Sequence, residues 1–367
     1  MNSKLVSVNI VSYNAQDLIE PCLESVFNQT YKNIEILVID NASTDNTLEK
    51  IQITKSKFQT NSNIKIIKNS KNFGFSAGHN IGIRESRGKY ILFLNQDVIL
   101  DKDFIKNVIE AMEVDEKIGA VQGKLYKITN MREFDTNNTN KNFSEISSES
   151  VKVSDILDTT GLLMFKNRRV VCRGQGEKDK NQYGRGEIFG VDGAAPLYRR
   201  KALEETKLSL FRGATPKSDE YEYFDEDFFM YKEDVDLAWR MRLYDWKAVY
   251  EPTAIGYHLR GAGEGAVKDY ASIIKARKKI SDFAKYYSFK NQRLMEIKND
   301  LFILRLLHFH RIIIKEIGAW VYILFFEKYS WKAIKDLFKQ MPLAWRKRKF
   351  IMKRRKTRAA KIAKWFV

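Results

Sequence analysis

The chain has 367 residues, 44% of them hydrophobic and 13% aromatic, with 64 Lys and Arg against 46 Asp and Glu for a formal charge of +18. This length and apolar content can bury a large core and exclude a generally disordered chain. The positive excess points to an anionic partner: nucleic acid, an acidic membrane surface or a phosphorylated substrate. Cys22 and Cys172 are the only cysteines, which excludes a disulfide framework and a cysteine-based zinc site.

Met1–Lys4 runs directly into an apolar segment too short and too polar around it for a signal peptide, so a first strand is expected over Val6–Val11. A polar turn, Ser12-Tyr13-Asn14, precedes a helical pattern from Asp17 to Asn28, with Leu18, Cys22, Leu23, Val26 and Phe27 on one face. Strand Ile34–Ile39, a helix near Thr47–Ile53, a short strand Ile64–Ile67 and a helix start over Ala77–Arg84 follow. Then come strand Tyr90–Leu94, helix Asp103–Met112 and strand Ala120–Gly123. Alternating strands and helices predict an α/β domain with a mainly parallel sheet flanked by helices.

Residues Thr129–Ser154 are rich in Asn, Ser, Thr and Glu, the pattern of a flexible loop or lid. A second structured block runs from about Asp155 to Gly261. These boundaries divide the chain into an α/β domain over 1–261 and a basic amphipathic helical region over 262–367. In the latter, Ile303–Arg311 and Trp320–Phe326 mix bulky and basic residues, and from Pro342 onward eleven Lys and Arg stand without one acidic residue. Basic helices carrying Trp and Phe suit the interface of an anionic membrane. The apolar run Ile317–Phe326 is far below the ~20 residues of a spanning helix. A cytoplasmic protein, peripheral on the inner face of the cell membrane, is expected; packing of these helices on the α/β domain is the alternative. Nucleic acid is disfavoured, because no recognisable binding module accompanies the charge.

Four constellations carry chemistry. Ile36–Ile39 ends at Asp40, and Tyr90–Leu94 ends at Asn95-Gln96-Asp97. Unbroken β-branched and aromatic runs read as strands buried on both faces, and ligands of open α/β sheets bind beyond the strands' carboxyl ends. Asp40 can accept from the imide N–H of a pyrimidine; a cap or turn is its ordinary alternative. Asn72-Phe73-Gly74-Phe75-Ser76-Ala77-Gly78-His79-Asn80 is a glycine-bearing junction into a helix, suited to close backbone approach and to phosphate. Asp97 can hold Mg²⁺ or Mn²⁺, hard cations that share oxygen ligands with substrate phosphates, or it can be a turn residue. The acidic run Phe224–Arg240 contains Glu233-Asp234, placed to accept a proton from an attacking hydroxyl. Its Asp236 and Arg240 are spaced to pair on a helix. His258 ends another strand-like segment and is either a ligand near a metal or a packed side chain.

In this order along about 250 residues, these motifs resemble glycosyltransferase family 2, inverting enzymes of GT-A fold, and the residues Asp158–Gly161, Arg173–Glu177 and Gly193–Arg200 resemble its rhamnosyltransferase-like members. The resemblance implies transfer of a sugar, with rhamnose the preferred guess, from a nucleoside-diphosphate sugar to a hydroxyl of a saccharide or lipid-linked saccharide, in cell-surface polysaccharide synthesis. It implies that Asp40 reads the pyrimidine, that Asp97 and His258 hold Mg²⁺ or Mn²⁺, and that Asp234 is the general base, with Glu233 the alternative. Tyr13, Asn14, Asn72, Gly74, Gly78, Asn80, Asn95, Gln96 and Arg240 complete the implied substrate site. A UDP-hexose donor, or a non-catalytic protein binding nucleic acid or another anionic polymer, are the alternative functions.

Overall fold

The computed structural model describes residues 3–58, 63–128, 154–212, 215–259 and 270–367. The expected loop over 129–154, except Ser154, and the 261/262 boundary lie outside the described residues.

The central sheet forms from segments whose two faces are both apolar. Its strands in chain order are β1 (Val6–Ser12), β2 (Ile34–Asp40), β3 (Asn63–Lys68), β4 (Tyr90–Asn95), β5 (Val98–Leu100), β6 (Ile118–Lys127) and β7 (Leu157–Thr159). Two short strands, β8 (Leu162–Met164) and β9 (Val170–Cys172), make a separate hairpin. The sheet resumes with β10 (Gly186–Ile188) and β11 (Leu197–Arg199); β12 (Leu208–Arg212) pairs with β13 (Thr215–Glu222), and β14 (Lys247–His258) closes the set. The order across the sheet is β10-β14-β6-β11-β4-β1-β2-β3, with β5 on β14 and β7 on β6. In β4, Ile91 and Phe93 enter one core cluster while Leu92 and Leu94 enter the other, so burial on both faces follows from the period-2 geometry.

The expected parallel arrangement holds for β3-β2-β1-β4 and for β6-β14. It fails between them: β11 inserts antiparallel to both β4 and β6, and β5 runs antiparallel to β14. The sheet is therefore mixed. Register then sets the site. Ser12 lies opposite Asp40 and Val11 opposite Asn95, so the carboxyl ends of β1, β2 and β4 stop at one level.

The C-terminal region is helical, as expected, and it shares a core with the sheet domain: Phe289, Leu294, Leu337, Ile351 and Phe366 belong to the same apolar cluster as Phe93 and Trp239. Helix Asp282–Asn299 packs on helix Glu233–Leu243 and along helix Trp331–Arg354. The basic tail is stitched down by specific partners. Lys347 pairs with Glu222, Asp225 and Asp227, Arg348 donates to the Ile297 and Asp300 carbonyls, and Arg354 donates to those of Glu205 and Lys207. Among the described residues no helix is long and apolar enough to cross a membrane.

Candidate active site

At the level carboxyl ends of β1, β2 and β4 lies a cleft of about 230 Å³, lined by Tyr13, Asn72, Gly74, Asn95, Gln96 and Asp97 among others. Six of the residues singled out in the sequence thus meet on one surface, together with Ser12, Asn41, Phe75 and Met230, which were given no role there. The Gln96 side chain clamps the next loop: its Oε1 accepts from the Tyr13 N–H at 2.8 Å and its Nε2 donates to the Tyr13 carbonyl at 3.3 Å. Tyr13 is left half exposed at the rim. Gly74 opens helix Gly74–Glu85 at φ +83°, and a Cβ there would lie 2.6 Å from Phe229, so only glycine fits.

Other expected contacts stand behind the cleft wall. Asp40 is buried, and its carboxylate accepts from the Ser43 hydroxyl at 2.5 Å and the Ser43 N–H at 3.1 Å, folding the turn after β2. Asn14 ties that turn to β1, donating its N–H to Ser43 Oγ and accepting from the Thr44 N–H. Gly78 serves packing: a Cβ there would lie 2.8 Å from Val11, so the helix can sit close on β1. Asn80 is fully buried and holds the acidic loop, donating to the Phe224 carbonyl and accepting from the Tyr223 and Phe224 N–H groups. Arg240, expected at substrate, is 0% exposed. It pairs with Asp236 at 3.0 Å and donates to the Thr206 and Tyr223 carbonyls, so it belongs to the core. The i,i+4 spacing already pointed to that pairing.

Asp97 sits in the turn between β4 and β5, a quarter exposed to the cleft. The pairing of β14 with β5 brings the buried His258 beside it, 100 residues from its other partner Asp158. His258 Nε2 lies 3.4 Å from Asp97 Oδ1, and Nδ1 lies 2.8 Å from Asp158 Oδ2. Burial opposes charge on the imidazole, but the hydrogen bonds and charges of Asp158 and Asp97 outweigh it and push its pKa up to about 9. A carboxylate orienting one ring nitrogen while the other faces a second carboxylate is the arrangement of a histidine metal ligand with its outer-shell partner. Among the described residues no group of three or more His, Cys, Asp or Glu is placed to hold a metal ion. Asp97 and His258 fit a Mg²⁺ or Mn²⁺ ion that takes its remaining ligands from water and diphosphate oxygens. Asp158 was noticed in the sequence only within its motif, because its partner is distant in the chain.

Met230 lines the cleft, and the residues that follow it enter helix Glu233–Leu243 through a distorted turn. Phe229, Tyr231 and Lys232 all have φ between 61° and 75°. Asn291 Nδ2 bonds to the carbonyls of Phe228, Met230 and Tyr231 at 2.8–2.9 Å, which fixes that turn. The two members of the acidic pair are not equivalent. Glu233 is buried, and burial together with the neighbouring Asp234 holds its carboxyl well above the usual range. Asp234 accepts from the Val235 N–H and reaches toward Gly193, where an added Cβ would meet both Asp234 Cβ at 3.6 Å and the cleft residue Phe75 at 3.5 Å. Asp234 thus lies across Gly193 from the cleft residue Phe75 and is not itself among the residues that line the cleft. Asp225, Asp227 and Asp236 of the same run are neutralised by Lys298 and Lys347.

Comparison with known proteins agrees with this architecture. Solved structures of similar fold include GalNAc-T7 with UDP, GalNAc and Mn²⁺ (TM-score 0.52, 14% identity, 84% of this chain and 55% of that one). The 1–349 fragment of S. aureus TarS is another (TM-score 0.50, 15% identity, 95% and 88%). At this identity the likeness shows the fold, GT-A. In sequence, an uncharacterized glycosyltransferase of Haemophilus influenzae is 38% identical over 121 residues, 33% of this chain and 36% of the relative. The poly-beta-1,6-N-acetyl-D-glucosamine synthase of Staphylococcus epidermidis is 24% identical over 289 residues, 74% of this chain and 58% of the relative. A UDP-Glc:alpha-D-GlcNAc-diphosphoundecaprenol beta-1,3-glucosyltransferase of Escherichia coli is 38% identical over 113 residues, 31% and 43%. The chain spans at most 58% of the length of these relatives. The model of glycosyl transferase family 2 matches residues 7–207, more than half of the sequence and the part that carries the cleft residues from Val11 to Asp97. The chain belongs to glycosyl transferase family 2.

Proposed function

We propose that the chain is an inverting glycosyltransferase that moves a sugar from a nucleoside-diphosphate sugar to a hydroxyl of a saccharide or lipid-linked saccharide in polysaccharide synthesis. The observation that carries it is the joining of Tyr13, Asn95, Gln96 and Asp97 in one cleft, with Asp234 across Gly193 from the cleft residue Phe75. Asp234 takes the acceptor proton as the hydroxyl oxygen bonds to the anomeric carbon, and the bond from that carbon to the diphosphate oxygen breaks on the opposite face. Glu233, buried and with its carboxyl raised, is the second candidate for base. Asp97 and His258 would hold a divalent cation, which when bound supplies charge neutralisation to the departing diphosphate. Asp158 keeps the His258 ring turned toward Asp97. The turn folded by Asp40, with Asn41 and Ser12 on the cleft, is the base-recognition end.

For the donor, the motifs behind the rhamnose expectation do structural work: Asp158 orients His258, Thr160 bonds Arg173, and Leu197–Arg199 is an internal strand. The UDP-hexose alternative has the better support, from the glucose- and N-acetylglucosamine-transferring relatives. Peripheral membrane attachment belongs to the same reading. Its contact surface is the exposed apolar side of helices Phe302–Leu307 and Phe309–Phe326, since the tail from Pro342 is docked on the core.

The test is Asp234→Asn assayed with a panel of nucleotide sugars. Release of nucleoside diphosphate should fall at least ~10²-fold while donor affinity is kept. Full turnover in that variant would remove Asp234 as base, and no turnover of any donor by the wild type would remove the enzyme reading.

A further inference from the structure

A second concavity, about 410 Å³ and mainly apolar, lies between helices Asp282–Asn299 and Phe309–Phe326, lined by Phe289, Gly318, Tyr322, Ile323, Arg169 and Lys232 among others. Its volume is in the range of small-molecule sites, roughly 300–1,000 Å³. Two features connect it to the chemistry. The turn Phe229–Lys232 borders both cavities: Met230 faces the cleft and Lys232 faces the groove. The groove therefore ends one residue from the Glu233-Asp234 pair. At its other end, Gly318 and Tyr322 belong to the helix that exposes Ile314, Ile317, Val321 and Phe325 to the outside.

The charges of the groove are unevenly spent. Arg277 is bound by Glu327, Arg293 by Glu316, and Lys315 by Glu296 and Glu316. Lys232 has no ion-pair partner among the described residues; burial lowers its pKa, and the nearest compensating charge is Asp234. An unpaired ammonium at the inner end of an apolar groove is complementary to the anionic head of an amphiphile.

We propose that this groove seats the lipid part of a lipid-linked acceptor, an apolar chain ending in phosphate, with the phosphate at Lys232 and the attached sugar passed across the Met230 turn to Asp234. Chain beyond the groove's capacity lies along the exposed side of helix Phe309–Phe326. This inference rests on the glycosyltransferase reading and adds the acceptor's class and seat. Gly318 is the position to perturb: nothing lies within 4 Å of a Cβ added there, so a larger residue enters the groove mouth without displacing the helix.

The experiment compares two acceptors bearing the same saccharide, one on farnesyl diphosphate and one as a methyl glycoside, with wild type, Gly318→Trp and Lys232→Met in the full chain. Wild type should show a KM at least tenfold lower for the farnesyl diphosphate acceptor. Gly318→Trp should abolish that preference while leaving the methyl glycoside and donor KM values within twofold. Lys232→Met should raise KM for the diphosphate acceptor at least tenfold more than for the methyl glycoside. An unchanged farnesyl preference in Gly318→Trp, or equal losses on both acceptors, overturns the assignment. Direct binding of farnesyl diphosphate, read from Trp320 stacked edge-on against the groove residue Phe289 at 5.3 Å, separates the two readings. Binding by wild type but not by Gly318→Trp upholds the groove even where no sugar is transferred; no binding by wild type overturns it.

Discussion

Replacing Lys347 by methionine isolates how the basic C-terminal helices hold the acidic loop. The ammonium of Lys347 is almost wholly enclosed and lies 2.7 Å from Glu222, 2.6 Å from Asp225 and 2.9 Å from Asp227. Removing one partner of a buried ion pair costs about 3–5 kcal/mol, because the remaining charge is left uncompensated. Here part of that cost is relieved by a proton. Burial raises the Glu222 carboxyl to about 7 even against the pull of the Lys347 ammonium. Without the ammonium, Glu222 stays protonated to higher pH. A carboxyl raised in the folded state binds more protons than in the unfolded chain, so stability falls as pH rises from its unfolded value to its folded one. In the wild type that fall ends near pH 7; in Lys347→Met it continues at about 1.4 kcal/mol per pH unit. Urea unfolding should therefore show a destabilisation of at least about 3 kcal/mol at pH 6. The gap should widen by about 1.4 kcal/mol at pH 8. A gap below about 1 kcal/mol at both pH values, the level of an exposed pair, would refute the buried network.

Three further outcomes follow from the same geometry. Arg240→Met should lower stability by about 1–3 kcal/mol by leaving the buried Thr206 and Tyr223 carbonyls without their donor while Asp236 keeps Lys298, seen as an earlier denaturation midpoint, and donor KM in the folded fraction should stay unchanged; a selective KM effect would return Arg240 to the substrate site. Asp97→Ala should weaken Mn²⁺ binding measured by calorimetry at least about tenfold, and unchanged affinity would count against Asp97 and His258 as the ligand pair. The triple change Phe302→Ser, Leu306→Ser and Phe325→Ser, on side chains that are 61–75% exposed, should cut partition onto phosphatidylglycerol vesicles by at least ~100-fold, given about 1.5–3 kcal/mol per inserted side chain. Equal partition of this variant and wild type would remove that surface as the membrane contact.

The cleft was legible where local chemistry dictated structure. Ile36–Ile39 and Tyr90–Leu94 carry no polar alternation, so their burial, their parallel pairing and the placement of Asp40 and Asp97 at their ends could be read directly. Three-residue strands such as Leu197–Arg199 have no period to detect, which hid the antiparallel insertion between β4 and β6. Asp158 and His258 meet only because β7 and β14 both pair with β6, and Lys298 and Lys347 look like solvated helix residues until their carboxylate partners are seen. The packing of the tail on the core was hidden for that reason: long-range charge pairing leaves no trace in local composition.

The three bonds from Asn291 to the Phe228–Tyr231 carbonyls also set an order in time. Positive φ at three non-glycine residues costs on the order of 1–3 kcal/mol each and persists only where the surroundings impose it. Synthesis proceeds from the amino end, and domains fold as they emerge. A nascent chain that has released β1 to β14 has the strand ends of its cleft but not the side chain that fixes Met230 and the entry to Asp234. If Asp234 is the base, as proposed, its alignment waits until residue 291 has left the ribosome and its helix has docked.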